Sequence, residues 1–196
     1  MLLLIKKVSQ IISILFNPLI NSTITFSILS IYSELITNQK LFIVSISILF
    51  SSIIPITYAI YLKNKMVIKT LDIDKKQNRI LPLSVGIVSY LIGFILLFLL
   101  NAPNIIQGLM FCYGTNTIII LIITIKWKVS LHSTAISGPL VALNYHFGNV
   151  IIPFYILIPI VSLSRVILGK HNIPQVVVGA LIGVLMTTVQ LYVLFF

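Results

Sequence analysis

The chain has 196 residues, of which 59% are hydrophobic and 8% charged, and its mean hydropathy is +1.15. A soluble domain of this length has too much surface to be so apolar, so the composition points to a single-domain helical membrane protein. Lys and Arg number 13 against 3 Asp and Glu; these cations flank apolar stretches, which favours anionic lipid or a lipid phosphate over nucleic acid as partner. Cys112 stands alone, which excludes a disulfide, a cysteine metal site or a dithiol redox motif within one chain.

In chain order, residues 1–17 mix Lys6, Lys7, Ser9 and Gln10 with Ile and Leu and predict an amphipathic helix in the membrane interface, without a cleavable signal. Asn17-Pro18 ends it, and residues 18–196 form the membrane domain. A spanning helix needs roughly 20 apolar residues. Residues 18–36 give the weakest candidate, and 41–62 a stronger one with a kink at Pro55. The long polar loop at 63–80 carries Lys63, Lys65, Lys69, Asp72, Asp74, Lys75, Lys76 and Arg79. Spans follow at 81–100 and 104–125 around an Asn101-Ala102-Pro103 turn, then at 131–148 and 150–168 around Gly148-Asn149, and finally at 172–195. The expected fold is all-α: a polytopic transmembrane bundle of six or seven spans.

Span parity brings three polar clusters to one membrane face. From the 63–80 loop the chain crosses out and back to Ser130 and His132, then out and back again to Arg165 and His171. Lys40 is the one cation on the opposite face if the first span is real, so the positive-inside rule puts the clusters on the cytoplasmic side.

Cations and a histidine pair at a lipid interface suit a phosphorylated head group. Arg79 and Arg165 offer forked donors that match phosphate oxygens, and Lys75 or Lys76 adds a point charge. Ser130 and the first N–H groups of the following helix can donate to an oxyanion. His171 and His132 can divide the roles of nucleophile and general acid. Gln175 lies four residues after His171, on the same helical face, where its amide can orient the imidazole.

These residues resemble the motifs of the type 2 phosphatidic acid phosphatase superfamily of integral-membrane lipid phosphatases. Its third motif is Ser-Arg, five residues, His, three residues, Asp; here Ser164-Arg165 is followed by His171 and then Gln175. Its second motif, Ser-Gly-His, is similar to Ser130-Leu131-His132. Its first, Lys, six residues, Arg-Pro, is similar only in Arg79 and a delayed Pro82, and Asp72 stands where the lysine would be. The resemblance covers residues 72–185 and implies a metal-independent hydrolase with no cofactor. It implies that His171 forms a phosphohistidine, that His132 protonates the leaving oxygen, and that Arg79, Arg165 and Lys75 or Lys76 hold the phosphoryl group. Gln175 replaces the family's aspartate; it can accept the imidazole N–H without balancing its charge, and Asp72 or Asp74 can supply charge instead.

The expected substrate is an isoprenoid or polyprenyl diphosphate, with phosphatidic acid or phosphatidylglycerol phosphate as the alternative. A protein that binds or transports a lipid phosphate without cleaving it is the rival from another class, favoured by Gln175, and a purely structural membrane subunit is a third. His146 falls on the other face and reads as structural. Lys63, Lys65 and Lys69 read as a lipid-attracted run, Lys126, Trp127 and Lys128 as an interface anchor, and Gly179 and Gly183 as a close-packing pair.

Overall fold

The computed structural model describes residues 2–73 and 75–196; Met1, Asp74 and the side chain of Leu2 lie outside the described residues, and with Asp74 any part it has in charge supply. The described residues are all-helical. Seven helices follow in order: α1 Leu2–Leu15, α2 Pro18–Ile31, α3 Thr37–Asn64, α4 Lys76–Leu99, α5 Asn104–Lys126, α6 Leu131–Ile167 and α7 Ile173–Leu194. Five of them are long and apolar enough to cross a membrane, and a sixth crossing arises if α1 and α2 count as one bent span. The chain is therefore a multi-pass, membrane-embedded protein.

The weak span expected at 18–36 is shorter than it reads. Helix α2 has 14 residues, about 21 Å at 1.5 Å per residue, too short for a hydrocarbon core of about 30 Å. Asn17 sets its start, its Oδ1 accepting from the N–H groups of Leu19 at 2.8 Å and Ile20 at 3.1 Å, with Pro18 in the first turn where no N–H is needed. Helix α1 meets α2 at a bend of 48°. One face of α1 docks on the bundle: Ser9 and Ser13 are buried, and Ile12 and Phe16 pack against Ile136, Leu140 and Val161. Leu3, Leu4, Val8, Ile11 and Ile14 face outward.

Helix α3 carries a widened turn over Leu49–Ile53, just before Pro55, where the missing proline N–H breaks the hydrogen-bond ladder. Helix α6 looks on paper like one 37-residue rod. Between Ser133 and Ser162 a straight helix would run about 43 Å, yet Ser162 Oγ donates to Ser133 Oγ at 3.0 Å. The rod is folded back on itself. Gly148, at φ +70°, makes the reversal in a region that a side chain resists, and a tight 3-10 stretch over Gly148–Ile156 completes it. The break expected at Gly148-Asn149 is there, and α6 supplies two legs rather than one.

The main core, where α2, α5, α6 and α7 meet, holds Phe26, Leu29, Ile106, Leu109, Met110 and Leu191, all fully buried. Polar side chains tie helices inside the apolar zone. Thr115 and Asn116 of α5 bond Gln190 and Thr187 of α7 at 2.7 Å and 2.9 Å, and Gln190 Nε2 donates to Asn116 Oδ1 at 3.2 Å. Helix α7 lies close on the first leg of α6. A Cβ added to Gly179 would sit 2.5 Å from the Ser130 carbonyl oxygen, and one on Gly183 would sit 2.6 Å from Ser137 Cβ.

Candidate active site

The fold-back of α6 gathers four chain segments at one end of the bundle: residues 65–73, residues 126–132, the end of α6 with the start of α7, and the second half of α1. Local backbone devices shape the end of α6 and the start of α7, and longer-range bonds hold the other segments to them.

Arg165 and His171 are coupled by the way α6 ends. Gly169, at φ +66°, takes the left-handed conformation that closes a helix, and the N–H of Lys170 returns to the Arg165 carbonyl at 3.0 Å. The His171 N–H reaches the same carbonyl at 3.3 Å. The five-residue interval between Arg165 and His171 is thus one helix-terminating turn, which leaves the imidazole within electrostatic reach of the arginine. The Lys128 ammonium clamps the turn from outside, donating to the Lys170 carbonyl at 2.7 Å.

Helix α7 opens with a capping box. Asn172 Oδ1 accepts from the Gln175 N–H at 3.1 Å, and Gln175 Oε1 accepts from the Asn172 N–H at 3.3 Å. This box fixes a proton in the site. A backbone N–H can only donate, so the Gln175 atom facing it is the carbonyl oxygen. That oxygen lies 3.0 Å from His171 Nδ1, so Nδ1 carries hydrogen and donates. The neutral ring then has its lone pair on Nε2. Burial, followed by the positive charges of Arg79, Lys128 and Arg165, holds the His171 pKa down to about 3, so the ring is neutral at physiological pH.

Arg165 is 2% exposed. Its Nη1 donates to Ser13 Oγ of α1 at 2.5 Å, and its Nη2 donates to both carboxylate oxygens of Asp72 at 2.7 Å. Its Nε is buried and has no hydrogen-bond partner among the described residues. The Asp72 carboxylate is half-buried; burial alone would raise its pKa, but the hydrogen bond and charge of Arg165, then His132 and Lys170, hold it below the usual carboxylate value. His132, in the first turn of α6, is hydrogen-bonded to the Ser13 backbone and lies within electrostatic reach of Arg165, Asp72 and Arg79.

Arg79 is also buried. Its Nε donates to the Ile73 carbonyl and its Nη1 to the Val129 carbonyl, both at 2.8 Å. The arginine pins Ile73 to the segment that leads into His132, and its charge bears on both imidazoles.

Arg79, Arg165, His132, His171 and Gln175 therefore converge. Ser130 has a different part from the phosphate contact expected of it. Its N–H donates to the Gln175 carbonyl at 3.1 Å, and its Oγ accepts from Ser133 N and Oγ, at 3.3 Å and 3.0 Å, as the cap of α6. With no exposure at all, Ser130 is a clasp between α6 and α7. Lys76 donates to the Lys126 carbonyl at 2.8 Å, and Lys75 is exposed. The lysine whose charge reaches His171 is Lys128. Ser13 was not foreseen; its only signal is a polar pair, Ser9 and Ser13, four apart in an apolar helix. Among the described residues no cluster of His, Cys, Asp and Glu could hold a metal ion.

Comparison with protein-family models, with curated proteins and with solved structures gave no match. The functional argument rests on the chemistry of this side-chain cluster.

Proposed function

We propose that this protein hydrolyses a terminal phosphate or diphosphate group on a membrane lipid, with His171 as nucleophile. The observation that carries this reading is the pairing of a neutral His171, its Nε2 lone pair fixed by Gln175, with a buried arginine that still has an unpartnered Nε–H. A buried donor without an acceptor is uncommon and costs about 1–3 kcal/mol. A phosphoryl oxygen is an acceptor of the right charge for a pocket built from two arginines and Lys128.

The chemistry follows from these placements. His171 Nε2 attacks phosphorus, and the bond from phosphorus to the leaving oxygen breaks. His132 gives its proton to that oxygen. The Arg79 and Arg165 guanidinium groups offset charge on the equatorial oxygens. Gln175 keeps its hydrogen bond from Nδ1 throughout. It brings no negative charge, so the charge formed on the ring is offset by the attached phosphoryl group. Water then cleaves the P–N bond, the proton returns through His132, and inorganic phosphate leaves.

An isoprenoid or polyprenyl diphosphate is the preferred substrate, a choice that rests on the resemblance drawn from the sequence. The excess of cations around the pocket favours the cytoplasmic membrane face. The test is phosphate release from farnesyl diphosphate and from phosphatidic acid in detergent, for the wild type and His171→Ala. Release that depends on His171 supports the reading, and equal rates in both proteins reject it.

A further inference from the structure

The Arg165–Asp72 contact has a feature that a simple structural ion pair does not need. A guanidinium presents phosphate with a forked edge, two parallel N–H groups, one of them on Nε. In Arg165 the fork formed by Nε and Nη2 is half closed: Nη2 is taken by both oxygens of Asp72, and Nε is unpartnered. The other terminal nitrogen is tied to Ser13. An anion arriving at Arg165 can bind through both arms of this fork only by taking the place of the carboxylate.

The carboxylate is placed to leave. Asp72 sits on the loop between α3 and α4, and its side chain is 34% exposed while that of Arg165 is 3% exposed. The arginine is the fixed partner and the aspartate the one with access to water. Nearby loop residues are open as well: Leu71 is 45% exposed and Met66, at φ +57°, is 90% exposed. The charges facing Asp72 are Arg165 from the end of α6, His132 from its start and Lys170 from the turn before α7. Release of the carboxylate therefore takes from the Arg165 guanidinium its ion-pair partner.

We propose that Asp72 is a resident stand-in for the substrate's phosphate, plugging the Arg165 fork at rest and displaced from it when a phosphoanion binds. The proposal rests on the reading of this pocket as a phosphate site. A plug of this kind lowers the affinity for every phosphoanion by the same factor, since each must first displace the carboxylate. In a bilayer, where phosphodiester head groups crowd the interface, this keeps weak binders out. It also helps inorganic phosphate to leave after hydrolysis, because the carboxylate can return to Nη2.

Two measurements on the full-length protein in detergent test this. The first uses the single tryptophan, Trp127, next to Lys128, as a fluorescent reporter of inorganic phosphate binding. Asp72→Asn is expected to tighten phosphate binding about tenfold or more, equivalent to about 1.4 kcal/mol, with Asp72→Glu close to wild type. In turnover, the same Asn variant should show a lower KM and stronger product inhibition. The second places a spin label on Leu71→Cys; the native Cys112 is buried and does not compete for label. Adding phosphate should mobilise the label with the same concentration dependence as the tryptophan signal, and adding Asp72→Asn should mobilise it without phosphate. Removing a negative charge would strengthen anion binding even without a plug, but would not make the loop respond to phosphate. A label unmoved by saturating phosphate, or weaker phosphate binding by Asp72→Asn, overturns the proposal. Both effects in a protein that releases no phosphate from lipid would uphold the plug and reject hydrolysis.

Discussion

The Oε1 atom of Gln175 accepts from His171 Nδ1 at 3.0 Å while also accepting from the backbone N–H of Asn172 at 3.3 Å. The second bond gives the first its meaning. The capping box that starts α7 also sets the tautomer of the imidazole, so a helix-terminus motif and the tautomer that the proposed chemistry needs are met by one side chain. Gln175→Ala removes the acceptor at Nδ1 and lets the ring turn or take the other tautomer. It is expected to lower kcat by about tenfold to a hundredfold with a smaller effect on KM, read from initial rates on a lipid phosphate.

Gln175→Glu separates orientation from charge. The carboxylate can still accept from Nδ1, but it also favours the protonated ring, so the His171 pKa must rise from its present value of about 3. The acid limb of kcat/KM should therefore lie well below the ordinary histidine value of 6.5 in the wild type and move to higher pH in the Glu variant. A pH–rate profile of both proteins checks the direction. A wild-type limb at the ordinary histidine value would contradict the burial-driven shift.

The same groups set the response of stability to acid. Folded His171 is neutral down to a pH of about 3, whereas in the unfolded chain it gains a proton near 6.5. The unfolded state thus binds more protons in this window, and stability falls as the pH drops through it. Asp72, with its carboxyl held below the usual value, contributes stability above the carboxylate range that is lost as the pH falls through its folded pKa. Thermal midpoints in detergent should decline between about pH 7 and about pH 4, and His171→Gln should flatten the upper part of that decline.

Close contact with the first leg of α6 fixes where α7, the helix that carries Gln175, lies in the bundle. A Cβ at Gly183 would meet Ser137 Cβ at 2.6 Å, the Thr134 carbonyl at 2.8 Å and the Gly138 N at 3.0 Å. Two of these are backbone atoms that cannot rotate away. Gly183→Ala is expected to lower stability by about 1–3 kcal/mol through overpacking, measured by unfolding in mixed micelles. Activity should fall with it, since the helix that carries Gln175 is pushed outward.

Much of this arrangement can be read from the chain, and the limits have physical causes. The interval from Arg165 to His171 was legible only as a motif spacing; what gives the spacing its shape, a helix end with Gly169 at its stop, is a local device that the structure reveals. Gly148 as the turning point between the legs of α6 was legible as a break between two apolar stretches. The docking of α1 was not: Ser13 meets Arg165 across 152 positions, and no local pattern records so distant a pairing. The part played by Ser130 is not legible in the chain, because a serine opening a helix reads equally as a cap or as an anion donor. Only its two partners, Ser133 and the Gln175 carbonyl, decide for the cap.

The most direct test of the central claim, a nucleophilic His171 in an anion-binding pocket, is rapid acid-free quenching of the protein with farnesyl diphosphate labelled in its terminal phosphate. The account predicts label bound to the wild-type chain through a base-stable, acid-labile bond, and none on His171→Ala. Phosphate release that proceeds at the same rate in the His171→Ala protein, with no label ever on the chain, would contradict it.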